Sequence, residues 1–556
     1  MSVSIVEKVG DVKIYGNGLL GGKGQGLVKI NECNIARAHK LSTRILTTTF
    51  YDRYMDRGGK FDAEELAPIR SILEAMGTMP ISVRSSATNE AWVTPGSPGS
   101  VHAGENASFM LPNNHPDFSV RFEQLVQAIG FIYKDFIDKQ PEDSGEKMAV
   151  VINPIPGIYD QSDAGEIYYP LVSGVANSFF PYALKSQDPQ EGFARIALGH
   201  GYATVLDDFP VISMVTIRNP IPLQLLGPGQ SFFYAIDLTK NKGLRGEELE
   251  TMKKLHVRFA RSDYCQFLGM EKNYVTLEAL IQQDRFDFRQ GLIEIMETIA
   301  RRIASHFQIE FVFNIMKADG GQLAGQFHVV QLTQLPAMKF ETIEIPNGTE
   351  NCYLSISNLQ GHGIIPEIQY AVVVSPFLYS IEQHDRVRRE MHELNRKLKA
   401  EQARYIIIAP GRLGTKNRQW GIQVEYSDVD GAVGLFEYGV DVAGRSEPLP
   451  EADDLTGGIY GSHFLYMLHG GHDEQQRRLQ TRMYGTQGTH FLTNLVANNI
   501  IYGFIAPTQD YIDPWFFAGP EDGTPIYQLE FPTPVTLYAD SMNQRCVILA
   551  GSGSGG

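Results

Sequence analysis

The chain has 556 residues, 43% hydrophobic and 20% charged, which is enough for two to four cores and excludes a mainly disordered polypeptide. With 64 acidic against 48 basic residues, its formal charge of -16 excludes a general attraction to nucleic acid but leaves room for a local basic pocket. Cys33, Cys265, Cys352 and Cys546 are scattered without a CxxC pair, the first ten residues carry charges rather than an apolar signal, and no apolar run approaches membrane-spanning length. The expectation is a cytoplasmic protein with neither a membrane nor a nucleic acid as partner.

In chain order, "DVKIYG" reads as a strand, and "GLLGGKGQGLVKINE" (18–32) places five glycines around Lys23 ahead of a helix. A glycine-rich turn feeding a helix N-terminus gathers backbone N–H groups and the positive end of the helix dipole, which suits a phosphate, and Lys23 adds a full charge. A P-loop is excluded, because Asn17 stands where its first glycine belongs and Gly24 where Ser or Thr belongs. Locally, a phosphate cradle and a tight turn with a solvated lysine remain equally open. "RILTTTF" reads as a strand, "AEELAPIRSILEAM" as an amphipathic helix, and "MPISVRSS" as a strand that delivers Arg84, Ser85 and Ser86 to a long Ser-, Gly- and Pro-rich loop through Gly104. Such strand-to-loop junctions are where α/β proteins place ligands.

Further on, "EKMAVVINPIP" reads as a buried strand, "GEIYYPLVSGVANS" as a strand entering a turn, and "RQGLIEIMETIARRIASHF" as a helix. "QIEFVFNIMKADGGQLAGQFHVVQLTQLP" reads as a hairpin. Period-two alternation sets Glu310, Val312 and Asn314 on one face, opposite Ile309, Phe311 and Phe313, and puts Phe327, Val329, Gln331 and Thr333 on a shared face of the second strand. Glu310 is then either a solvent-facing residue of a half-exposed hairpin or a buried carboxylate that meets a cation. A boundary falls at "PAMKFETIEIPNGTE". After it, the 4-3-4 stripe of Val387, Met391, Leu394 and Leu398 predicts a charged helix docked on its own domain. "YIIIAPGRLGTKNRQWG" follows as a buried strand entering a glycine-arginine loop. Two similar tracts, "YGSHFLYMLHGG" and "QGTHFLTNLVANN", are too few for a repeat architecture. The organisation expected is a mixed α/β chain with domains at 1–340 and 341–550, a lobe hinge near 146–156, and a linker-like "GSGSGG" at 551–556.

Eight stretches, "GGKGQGL", "ISVRSSATNE", "HAGENASF", "MAVVI", "SGVANS", "EGFARIALGHG", "IEF" and "VVQLTQLP", occur in the order and approximate spacing of the N-terminal nucleotide-binding region of phosphoenolpyruvate synthase and pyruvate phosphate dikinase. Over roughly the first 340 residues the chain resembles that region, and its second half looks like the C-terminal part of stand-alone relatives of phosphoenolpyruvate synthase. The resemblance implies an ATP-grasp type fold whose two lobes close over ATP. It implies that Gly22 and Lys23 hold phosphates, that Arg84 binds phosphate through its planar fork, that Ser85, Ser86 and the loop through Gly104 close over the triphosphate, and that the strand around Val151 meets the adenine edge. Glu310 and Gln331 fall where the family places magnesium ligands. The chain departs from the family at Thr333, where an arginine is usual, at Gln308, where an acidic residue is usual, and at His200 within "GHG".

The phosphohistidine and pyruvate-barrel domains of the full-length enzymes have no convincing copy here. The expected activity is therefore an ATP- and magnesium-dependent phosphotransfer, with Lys23, Arg84 and Glu310 central, to a histidine, a partner subunit carrying a phosphohistidine domain, or a small acceptor of unknown identity. An ATP-grasp ligase and a non-catalytic nucleotide-binding subunit are the alternatives. In the second half, Arg412 and Thr415 of "APGRLGT" suggest an anion-binding nest, with His463 and His490 as phosphoryl acceptors or acid-base groups. The other possibility is that Arg412 pairs with Glu425 or Asp428 and the histidines are core residues.

Overall fold

The computed structural model describes residues 5–89, 106–139, 145–179, 189–335, 343–346, 352–438 and 491–550. Within these it omits 206–208, 210, 216, 219, 224–228, 241–248, 261–262, 272, 319, 358, 376–377, 415–417, 419–420, 492–493, 496–497, 506–509 and 521–522. The chain is a mixed α/β protein. It divides into a first unit of Met1–Phe180, Gln190–Val205 and Phe209–Leu335 and a second composed mainly of Pro336–Gly556.

The first unit opens with β1 (Ile5–Val9), β2 (Val12–Tyr15), α1 (Gly21–Cys33), β3 (Arg44–Leu46), α2 (Thr48–Asp56), α3 (Ala63–Met76), β4 (Ile81–Ala87), β5 (Ser108–Leu111), α4 (Phe118–Lys139) and β6 (Met148–Pro154). The strands form one sheet in the order β1-β2-β3-β6-β4-β5. One face is covered by α3 and α4, whose Ile69, Ile72, Leu125, Ile129 and Ile132 bury the inward side chains of β4 and β6. Asp62 starts α3 with a capping box completed by Glu65. The other face receives Leu27 of α1 against Val12, Ile14, Ile45 and Val151. "TTTF" is not strand, as its sequence suggested: the strand stops at Leu46 and Thr48 begins α2.

The chain leaves this sheet after Pro154 and forms β7 (Ile158–Ser162), β8 (Gly165–Tyr169), β9 (Val172–Asn177), β10 (Phe193–Leu198), α5 (Tyr202–Val205), β11 (Ile212–Val215), β12 (Ile221–Leu223), β13 (Phe232–Asp237), β14 (Met252–His256), α6 (Glu278–Ile281), α7 (Phe288–Ala300), β15 (Phe307–Lys317) and β16 (Leu323–Gln334). The segment read as one strand entering a turn is two, β8 and β9, broken at Pro170, where a proline cannot donate to the ladder. The two go to different sheets, β14-β13-β8-β7 and β12-β11-β10-β9-β15-β16. In the latter, Ala176, Ile196, Ile309, Phe311 and Phe313 pack on Phe288, Leu292, Ile295 and Ile299 of α7.

The second unit contains β17 (Cys352–Ile356), β18 (Leu359–Gln360), β19 (Gly363–Val374), α8 (His384–Ala400), β20 (Tyr405–Pro410), β21 (Arg412–Leu413), β22 (Gly421–Ile422), β23 (Gly434–Tyr438), β24 (Ile501–Ile505), β25 (Tyr511–Ile512), β26 (Ile526–Asp540) and β27 (Arg545–Ala550). Its large sheet runs β18-β24-β23-β20-β19-β26-β27-β17-β25 and is parallel from β24 to β19. Helix α8 is the β19-to-β20 crossover. It buries Val387, Met391 and Leu398 against its own unit, with Leu394 only half-buried and Asn395 buried beside the stripe. All four cysteines are free and buried. Among the described residues, no helix is long and apolar enough to cross a membrane.

Candidate functional site

The glycines around Lys23 do not form a turn before the helix, as the sequence suggested. Gly21, Gly22, Gly24 and Gly26 lie inside α1, and they permit close approach rather than a free cradle. Gly21 has φ +67°, and a Cβ there would sit 1.8 Å from the Ser86 carbonyl oxygen; one on Gly26 would sit 2.2 Å from that of Leu332. Helix α1 is thereby wedged against β4 and β16. The Gly24 N–H donates to Ser86 Oγ at 3.0 Å, and that hydroxyl donates to the Leu20 carbonyl at 2.8 Å. Lys23, 4% exposed, donates through Nζ to Ser85 Oγ at 3.4 Å.

Arg84 projects from β4 to the hairpin of β15 and β16. Its Nη2 donates to Glu310 Oε2 at 2.8 Å and to Gln331 Oε1 at 2.5 Å, while Nη1 donates to the Val330 carbonyl at 3.2 Å. The Arg84 and Glu310 side chains are 13% and 15% exposed. Glu310 is thus a largely buried carboxylate with a cationic partner, as burial of such a group requires. Glu310 and Gln331 face each other in register, yet Phe311 faces Val329, so Val330 is an extra residue on β16. This bulge corrects the expectation that Phe327, Val329, Gln331 and Thr333 share a face. Phe327 and Val329 join the apolar core, whereas Gln331 and Thr333 turn to the Glu310 face, where Gln331 Nε2 donates to Thr333 Oγ1 at 3.2 Å.

The same face continues across the sheet with residues that sequence reasoning left without a role. Val175 pairs with Glu310 and Arg195 pairs with Val175, so all three side chains lie on one side. Asn177, Gln308 and Thr333 form the next row, and Gln308 Nε2 donates to Asn177 Oδ1 at 3.0 Å. Ser173 stands one row to the other side, opposite Val312. All but Glu310 are at most 6% exposed. The available signal was the Ser-Val-Asn alternation of "SGVANS", which marks one face as polar in a strand that is buried throughout.

His200 follows β10. Its backbone N–H donates to the Tyr234 carbonyl at 2.8 Å, and Nδ1 accepts the Tyr202 N–H at 3.3 Å, which fixes the tautomer with the proton on Nε2. Burial first, then the positive charge of Arg84, pushes its pKa down to about 4 against an opposing pull from Glu310, so the ring is neutral at pH 7.

Other expected site residues fall elsewhere. Val151 sits in β6, the strand between β3 and β4, and is paired with Ile45 on one side and Arg84 on the other. The main-chain groups of Val151 are therefore engaged within the sheet. Gly104, Thr415, His463 and His490, and the side chain of Arg412, lie outside the described residues. The turn after β20 does contain positive-φ glycines, Gly411 (+69°) and Gly414 (+77°). Three of its N–H groups are used internally: Gly411 donates to the Tyr438 carbonyl at 2.8 Å, Gly414 to that of Ile422 at 3.1 Å, and Leu413 to Glu437 Oε1 at 2.7 Å. The anion of this turn is the buried Glu437, which also accepts from Tyr502 Oη. Asp428, named as an alternative partner for Arg412, meets Arg388 Nε at 3.0 Å and His392 Nδ1 at 3.1 Å, and Glu425 lies 3.9 Å from Arg388.

The fold and this geometry define a class: a mixed α/β protein in which a strand brings Arg84 to the polar face of a second sheet, while the first turn of a helix brings Lys23 to the neighbouring Ser85 of that strand. No protein-family model matches the chain, and no curated protein matches it. Chemically, the cluster combines an arginine suited to phosphate oxygens with a carboxylate and an amide oxygen, the hard donors that magnesium takes alongside a nucleotide's phosphates, and Lys23 adds a second cation at the neighbouring Ser85. Among the described residues, no group of three or more His, Cys, Asp and Glu gathers to hold a metal by protein ligands alone.

Proposed function

We propose that the first unit binds ATP with magnesium and transfers a phosphoryl group, as the resemblance to the nucleotide-binding region of phosphoenolpyruvate synthase implies. The observation that carries the reading is the convergence of Arg84, Glu310 and Gln331, three residues from three separate elements, with Lys23 bonded to Ser85, the chain neighbour of Arg84. Lys23 and Arg84 bind phosphate oxygens, and the carboxylate of Glu310 with the amide oxygen of Gln331 holds magnesium, which would neutralise charge on the phosphates. Arg84 already engages both oxygen donors, so loading requires its guanidinium to turn from Glu310 to the phosphate. The ion pair keeps the carboxylate tolerably buried until then. The acceptor is a histidine, a partner subunit or a small molecule.

Incubation with ATP and magnesium, with and without candidate acceptors, tests the reading. AMP with phosphate is the expected product pair for dikinase chemistry. ADP would assign a simple kinase or an ATP-grasp ligase, and binding without turnover a nucleotide-binding subunit. Absence of both binding and turnover would overturn the proposal and leave the Arg84–Glu310 pair as a structural clamp.

A further inference from the structure

The polar face of the second sheet extends well past Glu310. Two strand spacings, roughly 9–10 Å, separate the backbone of Glu310 from that of Arg195, and the residue between them on that face is the small Val175. Arg195 is 1% exposed, so its charge is committed to the interior. It interacts within the protein, but a guanidinium carries five N–H donors in a rigid fork, and the buried Nε makes no hydrogen bond among the described residues. One row away on the same face, the Ser173 hydroxyl is buried, at 2% exposure, and has no hydrogen-bond partner among the described residues. A buried hydroxyl without a partner costs free energy in the unliganded protein, and a ligand oxygen is what would relieve it. The turn at His200 closes over this place, since a Cβ on Gly201 would lie 3.8 Å from that of Ser173.

We infer that Arg195 and Ser173 form a second anion subsite of the same cleft, which takes a phosphate of a polyphosphate chain at a distance from the Lys23–Arg84 end. The inference rests on the nucleotide reading above and sharpens it: the ligand class is a triphosphate spanning both ends, rather than a nucleoside monophosphate held at one. Arg195 then supplies the second arginine charge that Thr333, on the same face, does not.

Calorimetric titration of the full chain with ATP plus magnesium, inorganic tripolyphosphate, and AMP tests this in the wild type, Arg195→Gln and Ser173→Ala. Arg195→Gln should weaken ATP and tripolyphosphate roughly 10- to 100-fold, the loss of a charge-assisted hydrogen bond, and leave AMP unchanged. Ser173→Ala should weaken the same two ligands several-fold without lowering the thermal midpoint of the unliganded protein, because it removes a group with no partner. It thus serves as the arm that survives if Arg195→Gln fails to fold. Wild-type binding of tripolyphosphate that is unchanged in Ser173→Ala and in folded Arg195→Gln overturns the subsite alone, as does an equal loss for AMP. Failure of the wild type to bind ATP or tripolyphosphate overturns both the subsite and the nucleotide reading.

Discussion

The two faces of the β9–β10–β15 sheet are both buried, yet they are built by opposite rules. Against α7 lie Ile196, Ile309, Phe311 and Phe313, with rings such as Phe288 and Phe313 packed edge to face at 4.9 Å. On the other side lie Ser173, Asn177, Arg195, Gln308, Glu310, Gln331 and Thr333. Burying apolar area stabilises a fold directly, whereas burying this polar set yields little net stability and demands matched partners. A domain of this size could have used a second apolar face. The polar one is where the proposed ligand would bind, and variants on the two faces should separate stability from binding.

The largest separation is expected at Glu310. Glu310→Gln should abolish turnover while leaving much of the metal-free nucleotide binding, because a neutral amide is a poorer magnesium ligand than a carboxylate. Product analysis paired with calorimetry measures both, and full activity in this variant would remove Glu310 from the chemistry. On the opposite face, Phe313→Ala should destabilise the unit by about 3–5 kcal/mol, the cost of truncating a fully buried aromatic residue, with nucleotide affinity of the folded fraction preserved. Denaturant titration reads the first and calorimetry on folded protein the second.

The smallest expected effect is on pH dependence. His328, opposite Val312 on the polar face, has its pKa pushed down to about 4, by burial first and then by neighbouring His39; His200 is lowered similarly. Both take up protons on unfolding once the pH is below about 6.5, the ordinary histidine value. Stability tied to their neutral forms is therefore complete above that pH and declines as pH falls towards 4. Denaturant midpoints measured from pH 7 to pH 5 should fall, and His328→Phe should flatten the slope. An unchanged slope would mean that His328 is not held neutral by the fold.

Much of this architecture was legible in the sequence where one periodicity ran without interruption. The α3 helix, the β4 and β6 strands and the β15–β16 hairpin follow directly from apolar spacing. The exceptions have local causes. One extra residue at Val330 reversed the facing of Gln331 and Thr333, and nothing in "VVQLTQ" signals a bulge, because a bulge answers to the partner strand. The glycines at 21–26 and 411–414 look alike in sequence. In the first set they admit a helix to backbone contact, while in the second the N–H groups of Gly411, Leu413 and Gly414 go to Glu437 and neighbouring carbonyls. Which outcome holds depends on residues far along the chain. Arg84, Glu310 and Gln331 were nameable as candidates, but that one guanidinium would hold both oxygens was visible only in three dimensions.

The central claim is that Lys23 and Arg84 stand at the phosphate end of a nucleotide cleft, and titration of ATP with magnesium into the wild type, Lys23→Ala and Arg84→Ala tests it most directly. Each substitution is expected to weaken binding by about 1.5–3 kcal/mol, the range for a hydrogen bond to a charged group. Wild-type affinity in both variants would contradict the account and return Lys23 to a helix-packing role beside Ser85 and Arg84 to a clamp between β4 and the hairpin.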